Sequence, residues 1–478
     1  MLHTLNGPAS PSVPSPRGHR GCGTVPLANG GEPRYENQDH LHTDAAQPAP
    51  MLNRHPEHPE AQLRFGPALM ARLDALAAFT EVEGQLTRRY LSPAHVAAAR
   101  QVEAWMAEAG MSARTDPLMS VFGRYEGKEP GASAIMLGSH IDTVLDAGRY
   151  DGSLGVLAAI AAVAELHGRG ERLHHAVEVA AFGEEEGSRF PAHILTSSAL
   201  IGAVGPELLD VVDADGVTVR AALSLAGGNA GAWRDSVRDK GEIAAYLELH
   251  IEQGPVLEAQ ARALATVTAI NGSVRSIVTA TGFAGHAGTV PMGQRRDALA
   301  AASEMVLVVE RIGASAPELV ATVGRISALP GAQNVIPGRV IFTVDMRSPS
   351  DAVRDRAHAE LLGALHEIAG RRGVTVQVDT FQTSPATVLD PLVIDAAREA
   401  IAACGQEPVR LPSGAGHDAM IMARHCPSGM IFLRCKDGIS HNPAESITVE
   451  DADLGVRVLL EAAQQLDRRL AAQERGTF

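Results

Sequence analysis

Apolar residues recur along this chain in two rhythms. Short runs in which nearly every position is apolar, Ala132–Leu137, Val177–Phe182 and Gly429–Leu433, predict strands buried on both faces, and Ala245–Ile251 alternates well enough to be another. Longer segments suit helices: the alanine-rich Gly155–His167, then Asp390–Cys404, then Val449–Gln473 with Asp451 in its first turn, where a carboxylate complements the helix dipole. Strands spaced by helices predict an α/β layer sandwich with a largely parallel sheet.

A middle segment has an order of its own. Ser276–Thr281 reads as a strand, Arg296–Ile312 as a helix, Leu319–Ile326 and Val340–Met346 as strands, Ala352–Gly370 as a helix and Val374–Phe381 as a strand. That β-α-β-β-α-β succession is the ferredoxin-like order. It predicts an inserted domain at 272–385, which divides the main domain into 60–271 and 386–478. No solenoid-length repeat is visible.

The first 59 residues are rich in Pro, Gly, His and Asn and lack both a basic leader and an apolar stretch, so the expectation there is a disordered tail, with Met51 an alternative start. Paired histidines in it (His40 with His42, His55 with His58) look like metal ligands but fall in that tail. A net charge of -15 without a lysine- or arginine-rich block argues against nucleic acid as a partner. No apolar run reaches the roughly 18–20 residues that span a bilayer, so no membrane partner is expected either. Cys22, Cys404, Cys426 and Cys435 form no C-x-x-C pair and no disulfide framework, which fits a reducing, cytoplasmic setting.

Chemistry-bearing residues stand where predicted strands run out. His140 and Asp142 follow the first strand in Gly-Ser-His-Ile-Asp-Thr-Val, and Asp151 precedes the alanine-rich helix in Arg-Tyr-Asp-Gly-Ser-Leu-Gly. Glu184, Glu185 and Glu186 follow the next strand; His250 and Glu252 lie in Leu-Glu-Leu-His-Ile-Glu-Gln-Gly, and His441 in Gly-Ile-Ser-His-Asn-Pro-Ala-Glu. Ligands of open α/β sheets gather at the carboxyl ends of strands. Taken singly, each has a bland reading: an Asp-Gly pair is ordinarily a turn, and successive glutamates are ordinarily a solvated helix start. Taken together, imidazoles and carboxylates without a cysteine cluster suit zinc, manganese or cobalt. A bridging carboxylate favours two such ions sharing a hydroxide, and a free glutamate beside them can move the proton.

These motifs resemble the M20 metallopeptidase clan, and within it the group of allantoate amidohydrolases, N-carbamoyl-L-amino acid hydrolases and β-ureidopropionases. The resemblance runs from Leu73 to Gln473 and is most specific at Gly138–Val144, Tyr150–Gly155, Glu185–Phe190, Glu248–Gly254, Gly285–Met292, Asn334–Gly338, Ser413–Ala419 and Ser440–Glu445. It implies a zinc-exopeptidase-like αβα sandwich catalytic domain, an inserted lid and dimerisation domain, a homodimer, and two divalent ions (Mn, Zn or Co) per subunit.

It also implies roles. His140, Asp151 (bridging), Glu186, His250 and His441 would hold the metals; Glu185 would be the general base, and Asp142 would orient the His140 ring. His286 would stabilise the oxyanion, reaching the metals by lid closure or from a second subunit. Gln253, Asn334, Arg347 and His417 would contact a ureido carboxylate substrate, with Asp418 beside His417. Glu184 receives no role. The bland alternative for Arg347 is a pair with Asp345 on the same strand. Gly-Ser-His-Ile-Asp-Thr-Val and Glu-Glu-Glu-Gly-Ser-Arg-Phe favour allantoate, cleaved to ureidoglycine, ammonia and CO2. An N-carbamoyl-L-amino acid or 3-ureidopropionate is the nearer alternative, and a dipeptide or N-acyl amino acid the more distant one. A metal-free binding relative would have lost at least one of the six metal and base residues, all present here. Gly414-x-Gly416-x-x-Ala419 matches a dinucleotide fingerprint on paper, but no strand is predicted before it. No His-Glu-x-x-His helix or Gly-x-Ser-x-Gly elbow supports another hydrolase class.

Overall fold

The computed structural model describes residues 63–476; the tail, its paired histidines and Met51 lie outside them. The described chain opens with helices α1 (Gly66–Ala77) and α2 (Pro93–Glu108), then strands β1 (Ser112–Thr115), β2 (Val121–Tyr125) and β3 (Ala134–His140), helix α3 (Ser153–Gly168) and β4 (Ala176–Phe182). Short helices α4 (Leu195–Leu200) and α5 (Val219–Ala226) lead to β5 (Ile243–Ile251), α6 (Val256–Ala259) and β6 (Leu264–Ile270). The middle segment holds β7 (Gly272–Thr281), β8 (Gly285–His286), α7 (Ala298–Gly313), β9 (Val320–Thr322), β10 (Ile326–Leu329), β11 (Val335–Ile336), β12 (Arg339–Ser348), α8 (Asp351–Arg372) and β13 (Thr375–Ser384). The chain closes with β14 (Thr387–Val388), α9 (Pro391–Ala403), β15 (Val409–Ser413), α10 (Asp418–Met422), β16 (Ser428–Leu433) and α11 (Val449–Glu474).

Strands β3 and β4 are buried at every position because alternate side chains enter different cores. Ile135 and Leu137 with Val177, Val179 and Ala181 meet α1, α2, α3, α9 and α11 on one face. Met136, Ala180 and Phe182 meet Leu200, Met422 and Phe432 on the other. This two-sided covering makes the αβα sandwich and explains the unbroken apolar runs. Helix α3 is buried almost all round, and Gly155 lets it lie against β5: a Cβ there would overlap the carbonyl of Leu249. Thr448 caps α11 by accepting from Asp451 N–H, with Glu450 and Asp451 in the first turn as the dipole favours.

The nine-stranded sheet runs β1-β2-β4-β3-β5-β16-β6-β14, with β15 also on β6. It is parallel only across its centre, β4-β3-β5-β16, and at β15–β6. The pairs β1–β2, β2–β4, β16–β6 and β14–β6 are antiparallel, so the expected largely parallel sheet is in fact mixed. The short link from β1 to β2 leaves no room for a crossover and forces a hairpin.

The middle segment forms a five-stranded antiparallel sheet, β10-β12-β7-β13 with β9 also on β12, covered on one face by α7 and α8. The ferredoxin-like order is present. The single strand predicted over Leu319–Ile326 is broken into β9 and β10 around Gly324, a residue that weakens strand interiors. A small ribbon, β8 with β11, stands apart. Asn271 alone separates β6 from β7, and Pro385 with Ala386 makes the return from β13 to β14.

Candidate metal centre

At the carboxyl ends of the parallel strands, Asp151 collects the predicted ligands. Its Oδ1 lies 3.1 Å from His250 Nε2 and 3.4 Å from His140 Nε2, while its Oδ2 lies 3.3 Å from His441 Nε2. His441 Nε2 is 3.5 Å from Glu186 Oε2. Two triads thus share one carboxylate: His140–Asp151–His250 and Asp151–Glu186–His441. The Nδ1 atoms of His140 and His250 face the backbone carbonyls of Asp142 (3.1 Å) and Ile251 (2.9 Å). That contact fixes the proton on Nδ1 and leaves Nε2 as the donor to a cation. Glu186 Oε1 is buried without a hydrogen-bond partner. The residues present therefore fit divalent metal ions.

The electrostatics agree. Burial disfavours a charged Asp151, but hydrogen bonds from His140, His250 and His441 outweigh it and hold the carboxyl well below the usual range. Burial likewise opposes a charged His140, yet Asp151, Glu185 and Asp142 raise its pKa well above the ordinary value. Hydrogen bonding to Asp151 lifts His441 to about 9. Burial, reinforced by the Asp151 charge, pushes Glu186 up to about 7. Burial also raises Glu185 far above the carboxylate range, with His140 opposing. Crowded carboxylates that struggle to ionise mark a site built for added positive charge.

Several residues support the triads from behind. The Asp142 carboxylate accepts the N–H groups of Glu185 and Glu186, each at 3.2 Å, and its Oδ1 also stands 3.6 Å from His140 Nδ1, with the Asp142 backbone carbonyl nearer the ring at 3.1 Å. Glu184, given no role, sits at φ 56°, and its Oε1 accepts from Phe190 N (2.6 Å) and Arg189 N (3.1 Å), fastening the loop after the glutamates. Glu248, two residues before His250, takes bonds from Ser139 Oγ, Ala419 N and Tyr246 OH at 2.8, 3.0 and 3.1 Å. The buried Arg88 ties the two ligand turns together, donating to Ile141 O (2.7 Å) and Ser153 Oγ (3.1 Å). The period-2 spacing of Glu248 and His250 was a usable signal; for Arg88 there was none.

A cavity of about 390 Å³ opens over the triads and is lined by both sheets. Gln253 lines it, donating to Asp151 Oδ2 at 2.8 Å, while its Oε1 is buried and unpartnered. His417 is at the floor, its Nε2 2.8 Å from Ser413 Oγ and its ring edge-on to His250; burial, aided by His250, pushes its pKa far down and keeps it neutral. Arg347 lines the cavity too. It pairs with Asp345 through Nε and Nη2, both at 2.9 Å, and reaches Gly414 O with Nη1 at 2.7 Å. His286 and Asn334 are not brought to the cavity: both are exposed on the β8–β11 ribbon, where Ala287 N–H donates to Asn334 O. A strand does precede Gly414, contrary to expectation. β15 went unseen because Pro412 interrupts it, which an edge position tolerates. The glycine loop after it lines the metal cavity.

The model of peptidase family M20/M25/M40 matches residues 136–465. The chain is 38% identical over 383 residues to an N-carbamoyl-L-amino acid amidohydrolase of Geobacillus stearothermophilus, covering 80% of this chain and 94% of that one. It is 38% identical over 433 residues to an allantoate deiminase of Arabidopsis thaliana, covering 82% and 81%. Among solved structures, a hydantoinase/carbamoylase-family amidase from Burkholderia multivorans superposes with a TM-score of 0.79 at 36% identity, covering 84% of this chain and 97% of that one.

Proposed function

Since the chain belongs to peptidase family M20/M25/M40, we propose that it is a binuclear-metal amidohydrolase that cleaves the ureido C–N bond of a small N-carbamoyl carboxylic acid, with allantoate the substrate. The observation that carries this reading is the Asp151 carboxylate, each oxygen of which faces its own imidazole set. The names of the relatives support the carbamoyl branch over peptide cleavage, and N-carbamoyl-L-amino acids are the alternative substrates.

Held by the two triads, two divalent ions would polarise the ureido carbonyl and lower the pKa of a water molecule. Glu185, whose Oε2 is 4.0 Å from His140 Nε2 and which belongs to neither triad, is free to take the proton of that water and return it to the departing nitrogen. Gln253 Oε1 is an acceptor for a ureido N–H. Arg347 offers a planar guanidinium for the substrate carboxylate. We assign residues 272–385 the part of a lid, and a second copy or lid closure the delivery of His286 and Asn334. Leu299 and Leu307 on α7 and Ile326 and Leu329 on β10 are exposed, which supports self-association as a homodimer.

The test is to strip the protein, reload it with manganese, and follow ammonia and amine release from allantoate, N-carbamoyl-L-amino acids, 3-ureidopropionate and dipeptides. Metal-dependent ammonia from allantoate supports the proposal. Turnover of carbamoyl amino acids alone keeps the chemistry and replaces the substrate, and dipeptide cleavage alone refutes the branch.

A further inference from the structure

The register of the second sheet sets out a polar surface that the metal chemistry leaves unused. Ser273 on β7 pairs with Arg347 of β12 on one side and with Ser384 of β13 on the other. Two residues along the same strands, Arg275 pairs with Asp345 and with Gln382. Residues two apart on a strand share a face, so these six side chains form two rows on the face that looks toward the cavity. Five of them line it, and so does Asn271, the one residue between β6 and β7. Every side chain that residues 271–384 contribute to this cavity is polar.

Charges and hydrogen bonds on this wall are partly spent. Asp345 accepts from Arg275 Nε and from Arg347 Nη2, each at 2.9 Å, so two guanidiniums share one carboxylate and one positive charge is left for a substrate carboxylate. Asn271 Oδ1 is buried and has no hydrogen-bond partner. A buried acceptor left unmade costs free energy that a ligand donor recovers on binding.

We propose that Asn271, with Ser273 and Ser384 beside it, forms a subsite that selects the tail of the substrate, taking a hydrogen-bond-donating ureido or amide group in preference to an aliphatic side chain. This rests on the proposed ureido hydrolysis and refines it. The subsite favours substrates carrying a second N–H-rich group on the α-carbon, because an aliphatic tail would leave Asn271 unpaired and would desolvate two hydroxyls without compensation.

The test compares kcat/KM for allantoate, N-carbamoyl-L-leucine and N-carbamoylglycine in the manganese-loaded full chain and in two variants, Asn271→Ala and Ser384→Ala. In the wild type, allantoate should exceed N-carbamoyl-L-leucine. Asn271→Ala should lower the ratio of allantoate to N-carbamoylglycine about 10-fold or more, chiefly through KM, and Ser384→Ala should move the same ratio in the same direction by a smaller factor. Equal losses on all three substrates, or an unchanged ratio in both variants, would overturn the subsite while leaving ureido hydrolysis standing. A wild type that cleaves dipeptides and no ureido compound would sink both.

Discussion

Glu445 holds Asp151 from the other end of the chain: its Oε1 accepts the Asp151 backbone N–H at 3.1 Å across 294 residues of sequence, and that of Tyr150 at 2.9 Å. Ser440 completes the link, donating 2.8 Å to Asp151 Oδ2 and standing 3.1 Å from Glu445 Oε2. The carboxylate proposed to bridge the metals is thus fixed through both its backbone and its side chain. Replacing Glu445 by Ala should weaken metal affinity about 10–100-fold. Titration of the stripped protein with manganese, followed by calorimetry, measures this; unchanged affinity would mean Asp151 is positioned by other contacts.

Gly152, next to Asp151, is a second constraint on the centre. It opens α3 at φ 66°, and a Cβ there would overlap the His140 ring. Gly152→Ala should cost about 1 kcal/mol or more from the backbone alone and should displace His140 as well. The expected outcome is a lower Tm together with loss of bound metal by elemental analysis. A variant with full metal content would show that the ring can yield.

Glu185 is the proposed base. Glu185→Gln keeps the shape and removes the proton acceptor, so turnover should fall about 10²–10⁴-fold or further while metal content stays at the wild-type level. Near-wild-type turnover would remove Glu185 from the chemistry.

Far from the cavity, His175 Nδ1 lies 2.8 Å from Asp467 Oδ1 and joins the start of β4 to α11. The hydrogen bond to Asp467 raises the His175 pKa above its ordinary 6.5, against the effect of burial. Burial pushes Asp467 up, but His175 outweighs it and leaves the carboxyl below its ordinary 3.8. The histidine contribution is therefore complete below pH 6.5 and fades as pH rises through the raised pKa. The aspartate contribution is complete above pH 3.8 and fades as pH falls through the lowered one. His175→Gln should lower stability by about 1 kcal/mol near pH 6 and by less near pH 9. Thermal melts at the two pH values check this, and an equal loss at both would rule out the ion pair as its cause.

Much of the centre was legible because its residues follow buried strands. His140, Glu185, Glu186 and His250 lie at or just past β3, β4 and β5, whose apolar runs are plain in the sequence. Strands β1, β2, β6 and β15 were not legible. β1 is short and polar, β15 carries Pro412, and a sheet edge accepts what a propensity reading rejects. Arg88 and Glu248 escaped for a different reason: a buried charge is identified by its partners, and most of those partners lie far away in sequence.

The sequence by itself determined the two layers of apolar strands and helices and the ferredoxin-like order of the middle segment, since both follow from periodicity; residue types at strand ends, together with the family resemblance, supplied the proposed metal-ligand set. Only the tertiary structure decided that each oxygen of Asp151 faces a separate imidazole set, that Asp142 stands between the two glutamates and His140, and that Asn271 and Ser384 line the same cavity as the Asp151 triads. Those relations depend on register and on the approach of segments hundreds of residues apart, and neither is written in local pattern.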